Sequence, residues 1–299
     1  MINAESVKSR LKNQAMKQGH ILQEELTAYG LERTIYRISI SDYMDKFTLK
    51  GGIFLYALFD GNFTRTTTDI DLLAQKTSNE VENIKKIFEE IFLIEVDDAL
   101  RYDLDTLNVH SITEFKDYHG VNVSIIAYLD RTKIPVSIDI GFGDIVYPGR
   151  VVIKFPVLLG MEAPKIYAYS LNSVIAEKFE AIVSLGYANS RYKDFYDIYI
   201  LASNYDFDGE ELKKAIEETF MHRQTGFEDI VVFEKEFSDD TLRKSRWNAF
   251  IKKKKAMISV DFGEVIDLIK DFLQPTIEAI NKEKGKRVVW RAVKKQWDE

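Results

Sequence analysis

Apolar positions along this chain follow two rhythms, and the change from one to the other organises the molecule. Over 1–44, Val7, Leu11 and Ala15, then Ile21, Leu22, Leu26, Leu31, Ile35 and Ile38, recur at the spacing of helices with one buried face. Positions 47–49 read as a short strand and 52–59 as a short helix. Residues 69–73 alternate as a strand, and 80–92 form an amphipathic helix with Ser78 as its predicted N-cap. Strand-like runs follow at 107–113, 121–129 and 134–140, and 151–159 reads as an edge strand or a crossing loop. From Leu171 the helical period takes over, at 172–185, 192–203, 208–223, 239–255 and 261–284. Pro156 and Pro164, with the change of period, place a boundary near 165–170. The expected fold is α+β: N-terminal helices and a mixed β-sheet lobe flanked by helices over 1–168, then an α-helical lobe over 169–299. A cleft between two such lobes is the expected place for a site.

Composition narrows the class. At 299 residues and 45% hydrophobic content, the chain can build one large or two ordinary domains. It has no cysteine, which removes disulfides, thiolate zinc sites and a cysteine nucleophile, and fits a reducing compartment. The first residues lack a signal-peptide apolar region, and no run approaches the roughly 20 apolar residues of a membrane span. The expectation is a soluble, cytoplasmic protein. Charge is uneven: residues 241–299 hold 15 Lys and Arg against 8 Asp and Glu, or +7, on a chain of −7, so the first 240 residues carry −14. A basic segment on an acidic body keeps a nucleic-acid partner open; solvated helix faces are the alternative.

The candidate chemistry is acidic. In Thr68-Asp69-Ile70-Asp71-Leu72, strand geometry sends Asp69 and Asp71 to one face and Ile70 and Leu72 to the other. Like charges at that spacing repel unless a cation lies between them, and oxygen ligands suit Mg²⁺ or Mn²⁺. Upstream, Lys50-Gly51-Gly52 opens a helical turn whose N–H groups can approach phosphate oxygens. Downstream, Ser137-Ile138-Asp139-Ile140-Gly141-Phe142-Gly143-Asp144 alternates with Asp139 as a lone mid-strand charge. Its desolvation costs several kcal/mol unless it faces solvent or a cation. If this strand pairs with that of Asp69 and Asp71, three carboxylates gather on one face. Such a cluster can hold two cations about 3.5–4 Å apart, one activating a hydroxyl and one binding a triphosphate. Asp139 would then be the ligand on the nucleophile side. A merely solvated strand face is the bland reading of D-x-D alone; the order of the three motifs points to a metal-dependent nucleotidyl transfer.

The helical half adds two groups. Ala176-Glu177-Lys178-Phe179 sets Lys178 in an apolar stripe, where it can serve as a point charge for triphosphate. Arg191-Tyr192-Lys193-Asp194-Phe195-Tyr196-Asp197 crowds charges at a helix start, with Asp194 placed to cap its helix or to orient Arg191 or Lys178. Ordinary salt bridges are the alternative for each.

Together these motifs, from Lys50 to about Leu201, resemble the AbiEii toxin family, nucleotidyltransferase-fold toxins of bacterial type IV toxin–antitoxin and abortive-infection systems. The resemblance implies a sheet lobe like that of the polymerase-β-like nucleotidyltransferases. It implies Asp69 and Asp71 as the metal pair, Asp139 as the third acid, Lys178 as a nucleotide-contacting lysine and Asp194 as a downstream catalytic aspartate. Lys50, Gly51, Gly52, Arg65, Thr68 and Arg191 join Lys178 as candidate nucleotide contacts. The wider superfamily carries Gly-Ser at the glycine motif, whereas Ile53 follows Gly52 here, so Thr66, Thr67 or Thr68 are left to supply a hydroxyl. The family further implies an NTP co-substrate, a tRNA 3′ end as acceptor, phage defence as a role, and an antitoxin encoded nearby, often a winged-helix repressor. GTP binding is also associated with it.

In that light the basic segment gains meaning. Arg243, Lys244, Arg246, Lys252, Lys253, Lys254 and Lys255 surround Trp247 and Phe250, and Lys286 to Lys295 surround Trp290. Cations would neutralise RNA phosphates and aromatics would stack on unpaired bases, unless the aromatics pack the core. Two alternatives stay open: the same chemistry on a small-molecule or protein hydroxyl, and a non-catalytic nucleotide-binding toxin. The chain has no G-x-x-x-x-G-K-[ST] loop, no H-E-x-x-H and no G-x-S-x-G.

Overall fold

Alternating runs in the N-terminal half build one sheet with a helix-covered face and a polar face. A computed structural model describes residues 2–61, 67–114, 118–228, 230–253, 260–280 and 288–299, apart from the side chains of 113–119 and 253. The chain divides into two compact units: Met1–Gly143 with Val151–Tyr169, and Asp144–Arg150 with Ser170–Glu299.

The first unit runs α1 (Ala4–Gln18), α2 (Leu22–Ile40), β1 (Phe47–Lys50), α3 (Gly51–Leu58), β2 (Ile70–Ala74), α4 (Val81–Phe92), β3 (Leu100–Glu114), β4 (Tyr118–Leu129), β5 (Thr132–Phe142), β6 (Val151–Lys154) and β7 (Lys165–Ala168). Its seven strands lie in the order β3-β4-β5-β2-β1-β7-β6. β2 is parallel to β5 and β7 to β1; the other pairs are antiparallel. Period two decides the faces. Val121, Val123, Ile125, Ala127 and Leu129 of β4, with Ile134, Val136, Ile138 and Ile140 of β5, are buried. α2 packs on β5, and α4 on β3 and β4. At Gly30 of α2 a Cβ would lie 2.6 Å from Ile134 Cγ2, so only glycine lets that backbone approach so closely.

α2 also carries a buried ion cluster. Arg37 donates to Asp98 through Nη1 (2.6 Å) and Nη2 (3.1 Å), and Arg33 Nε donates to Asp98 Oδ2 at 3.2 Å. The Leu100 N–H donates to Asp98 Oδ1 (3.0 Å). Each charge is thus paired and hydrogen-bonded, the condition under which buried ions are tolerated.

The second unit contains α5 (Leu171–Leu185), α6 (Tyr192–Asn204), β8 (Phe207–Asp208), α7 (Gly209–His222), α8 (Lys235–Asp239), α9 (Thr241–Lys253), α10 (Phe262–Ile280), β9 (Val289–Arg291) and β10 (Gln296–Asp298). Aromatic rings fill its core: Phe262 lies 5.8 Å from Tyr192, 5.5 Å from Phe195 and 5.6 Å from Trp247, centroid to centroid. Among the described residues, no helix is long and apolar enough to cross a membrane.

The α+β class expected from the pattern is the class observed, and several elements differ in detail. β3 begins at Leu100, not 107, because Leu100 and Tyr102 already alternate into the core, with a register shift between Asp103 and Asn108. The run at 151–159 is an edge strand only to Lys154, and β7 joins it from a stretch read as a boundary. The N-cap of α4 is Glu80, with Ser78 Oγ accepting from the Glu80 N–H at 3.2 Å. The expected helix at 239–255 is α9, which starts at Thr241 after the separate short α8 ends at Asp239. The second unit is not wholly helical: β9 and β10 form a hairpin that extends β8 into a three-stranded sheet. Its anchor is Trp290, which is fully buried, faces Phe207 across the ladder and donates from Nε1 to Ala202 O at 2.7 Å.

Candidate active site

The acids meet because of strand register. In the parallel β2–β5 ladder Asp71 lies opposite Asp139. In the β4–β5 ladder Asp139 lies opposite Asn122, and in the β1–β2 ladder Asp71 lies opposite Lys50. Directly paired residues share a face. Asn122, Asp139, Asp71 and Lys50 therefore form one row across β4, β5, β2 and β1. Asp69, just ahead of β2, adds the third carboxylate. One oxygen from each of Asp69, Asp71 and Asp139 lies within 4.8 Å of the others, and all three residues are partly exposed. Ile70, Leu72, Ile138 and Ile140 are buried on the opposite face, so the apolar pattern that anchors the strands is what turns the acids outward. An all-oxygen, anionic donor set of this size fits a hard divalent cation.

The glycine motif is tied to the same acids. Gly51 has φ of 63°, the left-handed region, and a Cβ there would sit 2.0 Å from Asp71 Oδ2. The Gly52 N–H points at that oxygen, 3.3 Å away. Helix α3 thus starts against Asp71, with the glycine pair as the price of close approach. Lys50 Nζ lies 3.4 Å from the Tyr169 hydroxyl and 5.3 Å from its ring centroid. The Thr67 hydroxyl (3.4 Å) and the Thr68 N–H (3.3 Å) both point to Asp69 Oδ1. Arg65 and Thr66 lie outside the described residues.

The remaining candidates belong to the second unit. Lys178 Nζ donates to Asp197 Oδ2 at 2.6 Å and Asp194 Oδ1 at 3.2 Å, and Arg191 Nε donates to Asp194 Oδ2 at 2.7 Å. Burial alone would raise the Asp194 pKa, but Lys178 and Arg191 hold it below the ordinary carboxylate value. Asp194 and Asp197 are buried one helical turn apart, which is how both reach one ammonium. Asp197 had no role assigned from the sequence, although its i,i+3 spacing from Asp194 was the available signal. Asp144, the last residue of the Asp139 motif, had none either; it accepts from Arg223 Nη2 at 2.9 Å, while Arg223 Nη1 donates to Glu180 Oε2 at 2.8 Å. Asn122 was missed as well. Its signal was a lone amide between Val121 and Val123.

The basic segment is partly occupied by the fold. Arg243 donates to the carbonyls of Tyr187 and, at 3.1 Å, Asn189, with its guanidinium carbon 4.1 Å over the Phe237 ring. Lys244 pairs with Asp239 at 3.2 Å. Arg246 and Lys252 are exposed. The Lys253 side chain, Lys254, Lys255 and Lys286 lie outside the described residues. Trp247 and Trp290 are fully buried, so base stacking on them is excluded and they are core residues. Phe250 packs on Tyr196 and Trp247, with centroids 5.9 and 5.8 Å away.

The chain is similar to a solved structure from H. pylori described as a candidate nucleotidyltransferase, at 14% identity and a TM-score of 0.45, covering 86% of this chain and 96% of that one. It is likewise similar to JHP933 from Helicobacter pylori, at 14% identity and a TM-score of 0.42, covering 86% and 97%. No curated protein matches the sequence. Residues 33–286, which contain the acids, the glycine motif, Lys178 and Asp194, match the family described as nucleotidyl transferase AbiEii toxin of type IV toxin–antitoxin systems, and the chain therefore belongs to the AbiEii nucleotidyltransferase toxins.

Proposed function

We propose that this toxin transfers a nucleoside monophosphate from an NTP to the 3′ end of an RNA, with tRNA as acceptor and Mg²⁺ or Mn²⁺ held by Asp69, Asp71 and Asp139. The observation that carries the reading is the approach of those three carboxylates to within 4.8 Å on adjoining strands of a nucleotidyltransferase-family chain. The acceptor 3′ hydroxyl attacks the α-phosphorus and releases its proton to water; the new P–O bond forms as the bond to the β-phosphate breaks, and pyrophosphate leaves. Bound divalent cation supplies the positive charge that lowers the pKa of the acceptor hydroxyl and offsets charge on the triphosphate. Lys178 contributes a fixed point charge toward the nucleotide, held by Asp194 and Asp197. Lys50, Gly51, Gly52, Arg65, Thr68 and Arg191 are the further nucleotide contacts in this reading. Arg246 and Lys252, with the neighbouring lysines, face RNA phosphates. The family carries an antitoxin partner; a winged-helix repressor encoded nearby, cytoplasmic action and phage defence complete the proposal.

The test is direct. Purified protein is incubated with Mg²⁺, each labelled NTP and total tRNA. Label at the RNA 3′ end is expected, and its loss with chelator or with Asp71→Asn, by more than about a hundredfold, exceeding the usual effect of a supporting contact. Absence of transfer from every NTP, while the wild-type protein still arrests growth, refutes the reading. Growth arrest by a folded Asp69→Asn/Asp71→Asn protein would point instead to nucleotide sequestration.

A further inference from the structure

We infer that Asn122 is a positioning residue for Asp139, fixing the orientation of its carboxylate from β4, on the side of β5 opposite Asp71, and so setting the affinity of the site for divalent cation. This rests on the metal reading above and adds a residue to it. Asn122 stands directly opposite Asp139 in the β4–β5 ladder. Its side-chain amide has two N–H groups. One donates to Asp139 Oδ1 at 2.7 Å and the other to Ser137 Oγ at 2.9 Å. Both donors are therefore committed to one strand, two residues apart on one face, which fixes the amide and with it the plane of the carboxylate. The bond has an ionised acceptor, the stronger class of hydrogen bond.

The need for such a residue follows from the charges. Three carboxylates this close repel one another whenever the cation is absent. An aspartate on a strand can relieve that repulsion by changing rotamer, and a tether from β4 fixes the rotamer it keeps. A lysine or arginine at position 122 would prevent rotation, but its charge would compete with the cation for the same oxygens. A neutral amide restrains the side chain without that competition. It occupies part of one oxygen and leaves the other for a ligand bond. Asparagine is also a poor strand residue, so local propensity gives no reason for it between Val121 and Val123.

The experiment measures Mn²⁺ binding to the full chain by the loss of free-ion EPR signal, beside metal titrations of label transfer. Asn122→Ala is expected to weaken Mn²⁺ binding about tenfold, the usual effect of removing a supporting contact. The metal concentration for half-maximal transfer should rise by a similar factor, with kcat at saturating metal within about twofold of wild type. Asn122→Leu, which keeps the side-chain shape and lacks the donor, should behave the same and carries the test if the alanine variant does not fold. Wild-type Mn²⁺ affinity in a folded Asn122 variant, alongside lost affinity in Asp139→Asn, overturns the inference. Unchanged affinity in Asp139→Asn as well overturns the metal reading beneath it.

Discussion

Gly51 joins two demands in one residue. Its left-handed backbone starts α3, and its missing side chain admits the Asp71 carboxylate. Gly51→Ala should cost roughly 1–2 kcal/mol from backbone conformation alone. It should also displace Asp71, so Mn²⁺ affinity falls along with the melting temperature; a variant with lowered Tm and intact Mn²⁺ binding would separate the two demands. Glu32 shows a different residue-level cost. Burial, partly offset by the Leu158 N–H and Arg33, pushes its carboxyl from 4.5 up to about 7. The folded state then holds a proton that the unfolded chain has released between those values, so stability falls as pH rises across that window. Glu32→Gln removes the dependence. Urea titrations should show it more stable than wild type at pH 8, by on the order of 3 kcal/mol, with no gain at pH 4. An equal change at both pH values would contradict the burial argument.

Elements in this fold are joined by polar ties as much as by apolar packing. Asp98 links α2 to the start of β3 through Arg33, Arg37 and the Leu100 N–H, entirely out of solvent. Asp98→Asn leaves two buried guanidinium groups short of countercharge, and thermal unfolding should report a loss of about 3–5 kcal/mol. Legibility also differs by element. β4 and β5 were readable because their alternation runs the length of a long strand. β7, β8, β9 and β10 have four residues or fewer, too short for a period to show, and the pairings of β7 with β1 and of β8 with β9 join segments far apart in sequence. Trp290 illustrates the consequence: among cations it reads as a stacking group, whereas its pairing with Phe207 buries it.

Across the whole chain, charge is distributed against the net sign, with the basic balance confined to residues 241–299. Arg243 and Lys244 are engaged within the second unit, which leaves Arg246 and Lys252 as exposed cations of α9. In the RNA-acceptor reading, Arg246→Glu/Lys252→Glu should weaken tRNA binding and lower the slope of log K against log salt by about 2, with transfer kcat little changed; an unaltered salt slope would remove these residues from the RNA contact. The residue types and spacings by themselves determined that Asp69 and Asp71 face one way, that Asp139 stands alone on its strand, and that Lys178 sits in an apolar helical stripe. Those are local consequences of period two and period 3.6. Tertiary structure alone decided that β2 lies beside β5 with Asp71 opposite Asp139, that Asn122 completes the row, and that Asp197 shares Lys178 with Asp194. Register between distant strands is chosen by the burial of their opposite faces, and no stretch of sequence contains both sides of that choice.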